Sequence, residues 1–240
     1  MIYQTIEENR HKKKLFSLLI DPENYDQKSL IHIINEAESS RIDFILVGGS
    51  LLSSTLEATI QIIRDHTDLP VILFPGSLMQ ISFHADGILF LSLISGRNPE
   101  LLIGNHVKAA HMIRKSQLEV IPTGYILVNG GTTSSVEYIS NTKPIPVHKP
   151  DIVTSTAMAG EMLGHQLIYL EAGSGASKPL YSEVIKHVKE HIHIPLIVGG
   201  GLKSPDDAEK ACRAGADMIV VGNTLEQNPD NLKRDRKSVV

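Results

Sequence analysis

Residues 166–223 read QLIYLEAGSGASKPLYSEVIKHVKEHIHIPLIVGGGLKSPDDAEKACRAGADMIVVGN, and their pattern decides the fold. Three short apolar runs, at 166–171, 194–198 and 218–221, lead into YLEAGSG, VGGG and VGN. The segments between them space apolar residues as helices do. SPDD opens one such segment, with Ser204 as N-cap and Pro205 in the first helical turn. Uninterrupted apolar runs suit strands covered on both faces, so this stretch predicts parallel strands joined by helices.

The alternation extends back through the chain. Further runs at 15–20, 43–47, 70–74, 87–91 and 119–128 bring the strands to eight, the number in a (β/α)8 TIM barrel of the α/β class. Helices are expected at 29–39, 54–66, 99–116 and 152–163. Asp26 and Ser29, Ser53 and Ser54, and Asn98 before Pro99 serve as start signals, and Gly164 serves as a C-cap. Only PGSLMQISFHAD separates the third and fourth strands. That is close to the lower limit for a crossover, so the third helix is expected to be short or replaced. The longest irregular stretch, NGGTTSSVEYISNTKPIPVHKP at 129–150, reads as an active-site element. The chain is taken as a single domain over 1–240, with polar termini at 1–14 and 229–240.

Composition narrows the function. A net charge of -4 with interspersed signs provides no basic field for a nucleic-acid backbone. The opening residues are polar, and no apolar run approaches the roughly 18 residues of a membrane span. A cytoplasmic protein without a signal peptide is the expectation. The single Cys212 cannot form an internal disulfide and sits in AEKACRAGAD, where a small, inert buried residue is expected. His187, His191 and His193 precede the seventh strand, away from the mouth of a barrel, and read as a solvated face.

Active sites of such barrels lie at the C-terminal ends of the strands. There, Gly199, Gly200 and Gly201, then Gly222 with Asn223, are expected to let the backbone approach a ligand, as in a phosphate cup. Tyr169 and Glu171 share one face of their strand. If that face is the interior, Glu171 can take a proton from a substrate hydroxyl and Tyr169 can orient the substrate. The alternative is a Glu paired with a neighbouring cation. Asp21 and Ser50 end the first two strands and are hard oxygen ligands suited to Mg2+, although for Asp21 alone the helix-cap reading is the stronger. Arg97, Lys143, Lys149 and Lys178 fall in loops where cations can hold a diphosphate.

Taken in order, LLIDPE, FILVGGS, VILFPGS, ILFLSLISGRNPELLIG, VIPTGYILVNGG, YLEAGSGA, VGGGLKSPDDA and VVGN resemble the geranylgeranylglyceryl phosphate synthase family, which includes bacterial heptaprenylglyceryl phosphate synthases. The resemblance runs from about Leu15 to Asn228. It implies a Mg2+-dependent prenyltransferase that joins a polyprenyl group, taken as geranylgeranyl, from its diphosphate to the 3-hydroxyl of sn-glycerol 1-phosphate, in ether phospholipid biosynthesis. By the same resemblance Asp21 and Ser50 match metal positions. Tyr169, Leu170, Glu171, Ala172, Gly173, Ser174 and Gly175, with Gly200, Gly201, Gly222 and Asn223, match the glycerol phosphate site. The replaced third helix leaves a groove for the prenyl tail. Leu19 departs from members that carry a Lys there, so another cation is expected to serve the diphosphate. A homo-oligomer, dimer or hexamer, and transient membrane-surface contact are implied as well. A sugar phosphate isomerase and a non-catalytic phospholigand-binding protein remain the alternatives.

Overall fold

The computed structural model describes residues 1–53, 55–222, 232, 236 and 237. Eight parallel strands close in sequence order: β1 (Leu15–Ile20), β2 (Phe44–Val47), β3 (Val71–Leu73), β4 (Gly87–Leu93), β5 (Glu119–Leu127), β6 (Leu167–Glu171), β7 (Leu196–Gly199) and β8 (Met218–Val221). β8 returns to pair with β1, which completes a TIM barrel. The helices described are α1 (Ile2–Asn9), α2 (Gln27–Ser39), α3 (Glu57–His66), α4 (Asn105–Arg114), α5 (Ser135–Ser140), α6 (Pro150–Met162), α7 (Ser182–Lys189) and α8 (Pro205–Arg213).

Strand residues sort by parity into two apolar cores, as a period of two requires. Leu15, Phe44, Leu46, Ile72, Leu89 and Tyr169 fill the barrel interior. Their neighbours Phe16, Leu18, Ile45, Val71, Ile88 and Leu170 face outward beneath the helices. Capping follows the local chemistry at several helix starts. The Asp26 carboxylate accepts from Ser29 N at 2.8 Å, Asn98 from Glu100 N at 3.1 Å and Ser204 from Asp207 N at 3.2 Å. Gly164, at φ +93°, takes the left-handed conformation that ends α6.

Three expectations change. The N-terminal segment 1–14 is not merely a polar tail. Its α1 closes the N-terminal end of the barrel, where Ile2 and Ile6, one helical turn apart, join the interior core. The Glu119 carboxylate accepts the Ile2 and Tyr3 N–H groups that the first turn leaves free. Next, α3 begins at Glu57 without a side-chain cap; the Ser53 hydroxyl donates to the Glu23 carboxylate at 3.0 Å instead, and Ser54 lies outside the described residues. A π-helical turn, Glu100–Gly104, precedes α4 in place of a continuous helix. Between β3 and β4 only a 3-10 turn, Leu78–Gln80, stands where the third barrel helix would lie, as expected. Most of the stretch 229–240 lies outside the described residues; within it Leu232 is fully buried.

Because Ile6 is fully buried, Ile6→Ala is expected to destabilise the fold by about 2–5 kcal/mol in urea unfolding; a loss below about 0.5 kcal/mol would contradict the plug.

Candidate active site

Strand β6 builds the centre of the site. Leu167 and Tyr169 point into the interior core, so Glu171 points inward one step further towards the mouth. Its carboxylate is 5% exposed and accepts Gly173 N–H at 2.7 Å. Among the described residues no Lys or Arg pairs with it, so the reading of Glu171 as half of an ordinary ion pair does not hold. Burial pushes its pKa up to about 7, against the opposing effects of the Gly173 N–H and of Tyr169. Such a group is half ionised near neutrality and moves a proton in either direction.

Tyr169 lies beneath it, fully buried, stacked on Phe74 at 5.1 Å and tilted against Tyr125 at 5.4 Å. Its hydroxyl borders the cleft floor and lies near enough to the Glu171 carboxylate to oppose the rise of that group's pKa. Desolvation, then the nearby Glu171 charge, holds the phenol well above its ordinary pKa, so it is a neutral donor.

Two of the glycines also serve the protein's own side chains. A Cβ at Gly199 would stand 2.2 Å from the Tyr169 hydroxyl, and one at Gly200 would stand 2.0 Å from a Glu171 carboxylate oxygen. These two glycines therefore make room for the protein's own catalytic candidates. Gly201, at φ +69°, packs against the Lys178 carbonyl, with 2.5 Å to its absent Cβ. Gly175, at φ +73° with nothing within 4 Å of an added Cβ, is the cup glycine that opens onto free space. Gly200, Gly201, Gly175, Ser174 and Gly222 all border the same cleft. Leu170, Ala172 and Gly173 do not; Leu170 is buried outward, Ala172 is 2% exposed, and Gly173 supplies the N–H to Glu171. Asn223 lies outside the described residues.

Across the mouth, Asp21 and Ser50 border this cleft too. Asp21 also caps the 3-10 turn Pro22–Asn24 through Glu23 N at 3.2 Å, so the capping and cleft readings coexist. Burial raises its carboxyl above the usual range. The Asp21 carboxylate rests on Gly49, whose added Cβ would lie 2.5 Å from it, so Asp21 and the loop carrying Ser50 are in contact. Two hard oxygens facing one cavity fit Mg2+, which takes few protein ligands and fills its octahedron with water and phosphate oxygens. The described residues hold no cluster of three His, Cys, Asp or Glu suited to another metal.

From the mouth the cleft continues over the outer face of β4, through Ile88 and Phe90, and under α4 at Ala109 and Ile113. The missing third helix leaves this strand uncovered. Leu78 and Ile81 wall the opposite side. Val136 and Ile139 of α5 border the mouth, so the long loop does contribute to the cleft. One polar pair interrupts the apolar wall. His106, edge-on to Phe90 at 4.4 Å, contacts the Ser92 hydroxyl at 3.2 Å, and burial holds the imidazole below its usual pKa.

Arg97, Lys143, Lys149 and Lys178 do not border the cleft, and Arg97 donates to the Ile94 and Gly96 carbonyls. Among the described lining residues the only Lys or Arg is Lys203, whose ammonium donates to Ser177 O at 3.3 Å. Its place two residues after the glycine triplet in VGGGLK was the available signal. Away from the cleft, burial pushes the Cys212 thiol up to about 11, in keeping with an inert residue. His187 contacts the Thr154 hydroxyl at 2.7 Å and stacks on His191, in keeping with a structural face.

The PcrB family model matches residues 4–239. A geranylgeranylglyceryl phosphate synthase of Spirosoma linguale is 49% identical over 221 residues, 92% of this chain and 89% of that one. One from Pyrococcus horikoshii is 42% identical over 234 residues, covering 97% and 91%. The crystal structure of (S)-3-O-geranylgeranylglyceryl phosphate synthase from Thermoplasma acidophilum in complex with sn-glycerol-1-phosphate superposes with a TM-score of 0.95 at 34% identity, covering 100% of this chain and 98% of that one. A tryptophan synthase alpha chain from Legionella pneumophila, at TM-score 0.62 and 17% identity, covers 99% and 96% and shares the fold.

The environment of Glu171 predicts a carboxyl band in infrared titration that is absent from Glu171→Gln and has a midpoint near pH 7. A midpoint near the ordinary carboxylate value would refute the burial argument.

Proposed function

The chain belongs to the PcrB family, and on that premise we propose that it transfers a polyprenyl group, geranylgeranyl in the first instance, from its diphosphate to the 3-hydroxyl of sn-glycerol 1-phosphate in ether phospholipid synthesis. The observation that carries this reading is one continuous cleft with a buried carboxylate and glycine-rich loops at its mouth and a long apolar arm along β4. A sugar phosphate needs no such arm, which counts against the isomerase alternative.

In the proposed reaction the glycerol 3-oxygen attacks the first carbon of the prenyl chain. The bond from that carbon to the diphosphate oxygen breaks, and diphosphate leaves with the electron pair. Glu171 accepts the hydroxyl proton, while Tyr169, beneath it, holds the carboxylate or donates to a substrate oxygen. Gly175, Gly200, Gly201 and Gly222, in the loops after β6, β7 and β8, present backbone to the glycerol phosphate, and Lys203 adds the one side-chain cation of the described lining. Asp21 and Ser50 would hold Mg2+, which when bound would supply charge neutralisation for the leaving diphosphate. Lys203 lines the same cleft as Leu19, which supports it as the cation expected to serve the diphosphate.

The setting belongs to the same proposal: a cytoplasmic homo-oligomer, dimer or hexamer, that touches membrane surfaces transiently. No helix among the described residues is long and apolar enough to cross a membrane. Tyr138 at 80% exposure and Met162 at 79% offer apolar area for association, which analytical ultracentrifugation checks.

Glu171→Gln is expected to lower turnover at saturating substrates by about 10^2 to 10^4; activity within a few fold of wild type rules out the base role. Because the carboxyl pKa is raised to about 7, the active, ionised fraction grows as pH rises through 7, so wild-type kcat/KM should climb below pH 7 and level above it. Lys203→Gln is expected to raise KM for a phosphorylated substrate at least several fold with kcat little changed. Mixing both substrates with and without Mg2+ and assaying diphosphate distinguishes the transferase from a phospholigand-binding protein, which releases none.

A further inference from the structure

Gln80 stands where the third barrel helix is missing, at the end of the 3-10 turn Leu78–Gln80, and is 1% exposed. A buried amide must satisfy its polar atoms, and here they reach two neighbouring strand ends. The side-chain oxygen accepts Gly49 N–H at 3.2 Å and Gly76 N–H at 3.1 Å, while the amide nitrogen donates to the Gly49 carbonyl at 2.7 Å. The peptide groups flanking Gly49 are thus gripped through both donor and acceptor. Glycine is required around the clamp: an added Cβ at Gly76 would lie 2.3 Å from the Gly49 carbonyl, and one at Gly48 would lie 2.0 Å from the Phe74 carbonyl. The other side of Gly49 carries the Asp21 carboxylate, and Ser50 follows in the chain.

We infer that Gln80 is the positioning residue of the cation site: by fixing Gly49 it sets the separation of the Asp21 and Ser50 oxygens. This rests on the divalent-cation part of the proposed function. Gln80 touches neither oxygen itself and acts through the backbone. The same short turn places Leu78 in the groove wall, so one segment shapes both the tail-binding arm and the geometry of the metal oxygens.

The test measures affinity for Mn2+ alone, by water-proton relaxation, in wild type, Gln80→Leu, Gln80→Glu and Asp21→Asn, with circular dichroism confirming the fold. Loss of an outer partner of a metal ligand lowers metal affinity about 10- to 100-fold, which is the expectation for Gln80→Leu. Gln80→Glu keeps the acceptor and loses the donor, and is expected to fall between Gln80→Leu and wild type. KM for glycerol phosphate should stay within about threefold in both, a split that general loosening of the barrel would not produce. If Asp21→Asn loses Mn2+ while the Gln80 variants bind within twofold of wild type, the positioning role is overturned and the metal site stands. If Asp21→Asn binds as wild type does, both fall. Should Gln80→Leu fail to fold, Gln80→Glu decides by the same criteria.

Discussion

Closure of the barrel leaves β6 no freedom in where its residues point. Each strand is hydrogen-bonded on both sides, and a one-residue slip would exchange the interior and exterior sets everywhere at once. With Leu167 and Tyr169 committed to the interior core, Glu171 is forced inward at the last position of the strand. A carboxylate there loses most of its water and gains one backbone N–H in return. The raised pKa is the measure of that imbalance. Everything chemical about the cleft depends on a charge held where the fold disfavours it.

The neighbouring glycines follow from the same constraint. Tyr169 and Glu171 need volume at the mouth, and the next strand yields it at Gly199 and Gly200. A side chain at either position would displace the aromatic floor or the carboxylate. On the opposite side, Gly48, Gly49 and Gly76 let the ends of β2 and β3 close on Asp21 and Gln80. The mouth is therefore built by subtracting side chains so that a few polar groups can pack directly against backbone.

Much of this was legible in the sequence. Apolar runs bounded by Gly, Pro and Asp located all eight strands to within two residues at each end, because strands buried on both faces carry an unbroken signal. The short β3–β4 connection revealed the missing helix by length alone. The plug α1 was missed, since two isoleucines one turn apart in a short polar segment are too brief a signal to announce a buried helix before the barrel floor is present to receive them. The glycines were recognised as important, but that Gly199 and Gly200 also make room for Tyr169 and Glu171 was not legible, because sequence does not say what fills the space a glycine vacates. Arg97 and Lys203 each follow a glycine-containing strand end, and only the fold tells which one turns toward the cleft. Gln80 carried no local signal, as its partners lie 31 and 4 positions away on separate strand ends.

The apolar arm runs along the outside of β4 instead of down the axis of the barrel, whose far end α1 stoppers. A long hydrocarbon held this way is shelved beside the wall, and its remote end need not pass any ring of side chains. In the proposed transfer the two reactants would approach from different quarters, one down onto the rim and one along the flank, and neither would obstruct the other's route. The finished amphiphile can peel away sideways, tail and head together, without the staves having to part.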